Sequence, residues 1–493
     1  MIDHLPVLQV ALPLLAAPLC LLLRRAIAAW LLTWSVSGLA LVIAICLLLE
    51  VNARGVLSYA LGGWAAPWGI EYRLDAVNGF VLLIVSTIST VALLFARKSV
   101  FHEVAEDKQT LFYTAWLLCL TGLLGITVTG DAFNLFVFLE ISSLSSYVLI
   151  ALGRDRRALT AAFQYLVMGT IGATFILIGV GLLYMVTGTL NMVDLAERLP
   201  TVGDNRTVHT ALAFLTVGIG LKLALFPLHL WLPNAYAYAP SAVTAFLAAT
   251  ATKVAVYMLL RFLFQVFDAA FTFDGTPLGI FLAVLAAVGI LSTSTVSIFQ
   301  DNIKRMLAYS SVAQVGYMVL GISLVSVAGL TAAVLHLFNH ALMKGALFLA
   351  LGCVAYRLGG VRLGAMAGLG QRMPWTMAAF VAGGLSLIGV PLTAGFISKW
   401  YLVLAALERG WWPLVAVVIA GSLLAIIYVW RVVEMAYLRS PPGDSQGSIS
   451  EAPLALLLPT WLLVAANVYF GIHTDLSVGF AQRAAALLLG ASG

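Results

Sequence analysis

Long apolar runs, interrupted by charges, Gly/Pro clusters or aromatic residues, recur along this chain from residue 5 to residue 471. A helix crossing a bilayer needs about 20 such residues. Runs of that size predict spans near 5–23, 26–49, 76–96, 110–128, 132–152, 159–187, 209–232, 240–265, 277–299, 305–328, 329–356, 374–405, 411–437 and 452–471, fourteen in all. The first reads as a retained anchor, because no basic stretch precedes it and Arg24 and Arg25 follow it. One short amphipathic segment fits after residue 471. Composition removes the alternative of a water-soluble fold: 62% of the 493 residues are apolar and 10% charged, against about a quarter charged in soluble domains. The fold class is therefore an all-α polytopic membrane protein, with the lipid bilayer as its solvent.

A formal net charge of +5 could suggest a nucleic-acid partner, but the excess Lys and Arg sit mainly in a few short loops. Fourteen spans put fifteen loop cations on one side, including Arg24, Arg25, Arg97, Lys98, Arg154, Lys304 and Arg362. Seven fall on the other, including Arg73, Arg198, Arg206 and Arg261. The cation-rich side faces the cytoplasm, so both termini are expected outside it, in a cell inner membrane, and no nucleic acid is expected. The four cysteines are far apart inside apolar runs and offer no cluster spacing.

Proline interrupts the seventh segment at Pro227, in KLALFPLHLWLP, and the twelfth at Pro391, in LSLIGVPLTAGF. Each is the fourth member of a five-helix block, segments 4–8 and 9–13. Five is odd, so the second block enters the membrane inverted, the layout of transporters whose broken helices meet near the midplane; two ordinary proline kinks are the alternative. The expected units are 1–105 (segments 1–3), 106–270 (first repeat), 271–440 (second repeat) and 441–493 (the last segment and a short tail).

An ionised side chain deep in a bilayer costs several kcal/mol unless it meets a partner or a wet cavity. Glu140 stands nine residues past Asp131, about 13 Å along its helix. Lys222 precedes Pro227 by five residues, where the proline frees a backbone carbonyl; a nearby Glu140 would let its amine bind and release a proton, and a fixed ion pair is the alternative. Lys253 lies two turns inside its span, beyond easy snorkelling. His336, His340 and Lys344 follow i, i+4, i+8 and share one helix face, a spacing for a water-bridged proton path or for two core histidines. A His-x3-His pair can hold zinc, but no third ligand is evident, so no metal is expected. Lys399 follows Pro391 by eight residues and has no matching carboxylate in the tenth segment; it is either the far end of a lateral chain or a snorkelling anchor. Glu140 is the only deep carboxylate expected, and Glu434 is read as a surface partner of Arg431.

The stretches GDAFNLFVFLEISSLSSYVLI around Glu140, GLKLALFPLHLWLPNAYAYAPS around Lys222, and DNIKRMLAYSSVAQVGYM from Asp301 to Met318 resemble the antiporter-like family shared by Mrp-type cation/proton antiporters and the proton-pumping subunits of respiratory complex I. The likeness runs over nearly the whole chain. It implies fourteen helices with two inverted five-helix repeats, and a proton path through Glu140, Lys222, Lys253 and Lys399, with no cofactor. The longest members carry a C-terminal extension for which there is no room here, and NuoM-like members have a glutamate where Lys399 stands. Of the MrpD and NuoN types, FNLFVFLEISSLSSYVL is more similar to the MrpD type. The expected activity is therefore proton translocation within a hetero-oligomeric Na+/H+ antiporter, beside MrpA-like and small membrane subunits, with protons and Na+ as the ions moved. The alternative is a pumping subunit of a complex I-like oxidoreductase or membrane-bound hydrogenase.

Overall fold

The computed structural model describes residues 2–203, 205–440 and 449–490; part of the expected unit 441–493 therefore lies outside the described residues. The chain begins with α1 (Leu5–Leu21), α2 (Ala26–Arg54) and α3 (Ala76–Glu103), then α4 (Gln109–Val128), α5 (Ala132–Ala151) and α6 (Arg156–Thr187). A short α7 (Met192–Val202) leads to α8 (Arg206–Leu223), α9 (Trp231–Tyr238) and α10 (Ser241–Arg261). Next come α11 (Leu278–Ile298), α12 (Ile303–Ser323), α13 (Val327–Leu358), α14 (Leu369–Arg372), α15 (Pro374–Ile388), α16 (Ala394–Glu408), α17 (Trp412–Leu438), α18 (Leu454–Ile472) and α19 (Asp475–Leu488).

Every predicted segment coincides with a helix or a pair of half-helices. Among the described residues, eleven helices are long and apolar enough to cross a membrane unaided. The other three segments are α1 and the two interrupted helices, α8/α9 and α15/α16. Helix starts follow local chemistry: Asp75, Asp131, Asp155, Asn191, Asn302 and Ser326 each accept a hydrogen bond from a backbone N–H of the turn they open, satisfying donors that have no partner within the helix. At Asp155 the side-chain bond from Arg157 holds the carboxyl below its ordinary range.

Two elements escape the apolar-run reading. Leu57–Ala60 (β1) and Glu71–Leu74 (β2) form an antiparallel hairpin, and α7 is amphipathic, with Leu195 and Leu199 buried. Both are too short to register as spans. They gather at one end of the bundle, where Tyr72 pairs with Thr129 and Asp131 with Asn191, and the buried Glu71 carboxylate accepts from Asn191 and Ser58. At the other end the cation-bearing loops meet: Val104 pairs with Gly153 and Asn302 with Arg362.

The core is built around α13, which packs against α3, α10, α12, α15, α16, α18 and α19 and is buried throughout its most apolar window. The most enclosed helix thus carries His336, His340 and Lys344, and its neighbour α10 carries Lys253. By contrast fewer than half of the residues in the apolar windows of α2, α6, α11 and α17 are buried, as in helices with one face toward lipid.

Candidate functional site

Helix α8 stops at Leu223 because Pro227 has no N–H to continue the ladder and Ala224 turns into the left-handed region at φ 59°. Freed carbonyls find other donors: Gly220 O accepts from Leu225 N at 2.9 Å, and Leu221 O accepts from the Trp231 indole at 3.0 Å. Lys222 occupies the last turn of α8, where the helix dipole favours a cation. Its Nζ donates to Ser143 Oγ at 2.8 Å and lies 3.9 Å from Glu140 Oε1. The lysine is 4% exposed and Glu140 29%, so the pair opens at its acidic end. Ser143, one turn beyond Glu140 on α5, makes the shorter contact, so the ion pair is not a closed clasp. A small cavity beside Lys222, lined by Ser142, Ser143, Tyr165, Ala251 and Val254, leads toward α10.

Lys253 is fully buried on α10; its Nζ donates to Ala248 O at 2.5 Å and Thr252 Oγ1 at 3.3 Å, with no carboxylate in salt-bridge range among the described residues. On α13 the His336 and His340 rings stack with centroids 6.0 Å apart. His336 Nδ1 bonds Ser398 Oγ at 2.8 Å. Neither ring nitrogen of His340 has a hydrogen-bond partner among the described residues. Lys344 donates to Leu307 O at 2.8 Å and to Ser310 Oγ.

The second interruption follows Ile388, where Gly389 takes φ +91°. Lys399, on α16, reaches back across the break and donates to Leu387 O and Ile388 O, both at 2.9 Å, and to Ser422 Oγ at 3.0 Å. Those carbonyls are the ones α15 leaves unpaired at its end. With 6% exposure and these bonds, the Lys399 ammonium is held inside the bundle. Its ammonium sits 4.9 Å from the Tyr317 ring centroid, and Tyr317 packs edge-on against His336 at 5.7 Å. The structure therefore brings Glu140 to Lys222, and Lys399 through Tyr317 to His336 and His340. No direct hydrogen bond joins Lys222 to Lys253 among the described residues.

Several partners were invisible in the apolar pattern: Tyr317 and the hydroxyls of Ser143, Ser310, Ser398 and Ser422. Two readings need correction. Arg261, expected as a loop cation, ends α10 in a buried bidentate pair with Asp75, both contacts at 2.6 Å, so Glu140 is not the only sequestered carboxylate. Burial raises the Asp75 carboxyl, but the Arg261 charge and its hydrogen bonds outweigh burial and hold it below its ordinary value. The signal was present as Asp-x-x-Asn: Asp75 and Asn78 form a reciprocal capping box. Glu434 pairs with Arg439 at 2.7 Å rather than with Arg431. Among the described residues no group of three or more His, Cys, Asp or Glu could hold a metal ion.

Residues 129–425, which contain both interrupted helices and all seven titratable positions, match the family described as NADH:quinone oxidoreductase/Mrp antiporter, transmembrane. The chain belongs to this family. Among similar members, an N-type NADH-quinone oxidoreductase subunit of Desulforudis audaxviator is 44% identical, over 96% of this chain and 97% of the relative. A D-type Na(+)/H(+) antiporter subunit of Alkalihalophilus pseudofirmus is 31% identical, over 89% of this chain and 88% of the relative. In the solved Mrp complex of a Dietzia species, one chain superposes with a TM-score of 0.90 at 27% identity, covering 99% of this chain and 97% of that one.

Proposed function

We propose that this family member is the proton-translocating, D-type subunit of a multisubunit Na+/H+ antiporter, in which protons move laterally along Glu140, Lys222, Lys253, His336, His340, Lys344 and Lys399. The observation carrying this is the contiguous run from Lys399 over Tyr317 to His336 and the unpartnered His340, in the most enclosed part of the bundle. Lysine and imidazole can each take up a proton and pass it on without covalent chemistry, so no active site of an enzyme is required. Glu140, 3.9 Å from Lys222 and partly open, sits where a change in its own position or charge alters the hold on the Lys222 proton. Cation exchange takes place with other subunits of the assembly, MrpA-like and small membrane proteins, and the sodium site is assigned to them. Pro227 and Pro391 interrupt matching members of two inverted repeats, 106–270 and 271–440, flanked by 1–105 and 441–493. Both termini lie outside the cytoplasm, the orientation favoured by the fifteen-to-seven loop-cation count.

The test uses the whole complex in inverted vesicles. Glu140→Ala, Lys222→Ala and Lys399→Ala should each leave assembly intact and abolish proton-driven cation exchange; normal exchange in all three would reduce these charges to structural ties. A second reading, a pumping subunit of a redox-driven complex, is favoured by the 44% identity to an N-type oxidoreductase subunit. Co-purification separates the two: small antiporter subunits support the first, and iron-sulfur or quinone-site subunits the second.

A further inference from the structure

At the cation-rich end of the bundle, a cavity of about 590 Å³ opens where the α1–α2 turn meets the end of α3 and the start of α4. Arg24, Arg25, Arg97 and Lys98 line it, from two separate stretches of chain. Facing them are one carboxylate, Glu106, and the imidazole of His102. None of the four cationic side chains has an ion pair or hydrogen bond among the described residues. Arg97 instead lies over the Trp30 ring at 5.1 Å. Four cations facing a single carboxylate repel one another and favour a bound anion.

The surroundings narrow the choice of anion. Ile27 and Phe101 are exposed within the cavity wall, and Leu22 and Leu31 continue the exposed apolar surface along the same helices. Trp30 forms part of the wall; it stacks on Trp34 at 6.1 Å and its indole N–H donates to Leu93 O at 2.8 Å, which fixes the ring that Arg97 covers. A soluble anion has no use for the apolar wall, and a neutral lipid leaves the guanidinium forks unmatched. A phosphodiester with acyl chains satisfies both: Arg forks its oxygens, and the chains lie along Ile27, Leu31 and Phe101. We infer that this cavity is a binding site for an anionic phospholipid, which fastens the first three helices to the rest of the bundle. The site lies away from the titratable row and does not depend on the transport reading.

The purified complex should retain anionic phospholipid after detergent exchange, counted by mass spectrometry of extracted lipid. Arg97→Gln with Lys98→Gln should weaken retention of added phosphatidylglycerol roughly fivefold for each cation lost. Arg156→Gln with Arg362→Gln, which removes equal charge from the same end outside the cavity, should not. Arg97→Lys keeps the charge and should keep the lipid. Equal retention in both double variants would overturn the inference, as would retention of phosphatidylcholine equal to that of phosphatidylglycerol, or displacement of the lipid by millimolar inorganic phosphate. Should the first double variant fail to assemble, photoactivatable phosphatidylglycerol added to the wild-type complex decides: labelling must fall on peptides containing residues 24–31 or 97–101. Label elsewhere only, or a crosslink from this face to a protein subunit instead, rejects the lipid site.

Discussion

The two interrupted helices solve the same problem in opposite ways. At the first, Lys222 belongs to the half-helix before the break and turns outward to α5, where it meets one hydroxyl and a partly exposed carboxylate. At the second, Lys399 belongs to the half after the break and turns back onto it, taking two orphan carbonyls and a hydroxyl. The first amine is balanced by a charge that can itself be protonated or moved, the second by fixed backbone dipoles. Lys222 is thus held by groups outside the helix that carries it, whereas the contacts of Lys399 depend on the shape of the break itself. Both breaks hold a residue with a side chain in the left-handed region, Ala224 in the first and Leu392 in the second, but only the second also passes through a glycine there, Gly389, against which the Lys399 stem lies closely.

The largest expected effect treats the two alike. Lys222→Ala and Lys399→Ala should each lower exchange in inverted vesicles by about a hundredfold or more, the usual loss when a proton-transferring side chain is removed; activity within twofold of wild type removes that lysine from the path. The next separates them. Ser422→Asp gives Lys399 the counter-charge it lacks, so it should slow exchange more than Ser422→Ala does, by trapping the proton; equal rates for the two variants would show that the missing carboxylate is immaterial. Backbone changes should then diverge in sign. Gly389→Ala adds a side chain at positive φ, for about 1–2 kcal/mol, and sets its methyl 3.0 Å from Lys399 Cδ, whereas Ala224→Gly relieves a comparable strain. Thermal midpoints of the purified complex should fall for the first and hold or rise for the second, and a fall in both breaks the contrast. The smallest effect is in the hydroxyls, each bond being worth about 1 kcal/mol. Among the described residues Ser143→Ala removes the one side-chain hydrogen bond of Lys222, and Ser422→Ala one of three at Lys399, so exchange should drop further in the former.

Much of this was legible in the chain. Apolar runs located α1–α6, α8–α13 and α15–α18 because lipid demands them, Pro227 and Pro391 marked the interruptions because proline cannot donate, and the i, i+4, i+8 spacing put His336, His340 and Lys344 on one face. Arg261 was expected as a loop cation and Asp75 drew no expectation, because their pairing spans 186 positions and nothing local to either residue names the other. The hairpin and α7 were lost for a similar reason: too short for a span, they are held by bridges to other loops.

The amino-acid order by itself determined that the chain is a helical membrane protein, where its helices break, and that seven titratable side chains fall within its apolar runs, since hydropathy, proline chemistry and helical periodicity act over a few turns. Only the tertiary structure decided what those groups face. That Lys222 meets Ser143 before Glu140, that Lys399 folds back onto α15, and that Tyr317 stands between Lys399 and His336 depend on how separate helices pack. A side chain's partner in a bundle is chosen by the rotation and contact of neighbouring helices, which no local pattern encodes.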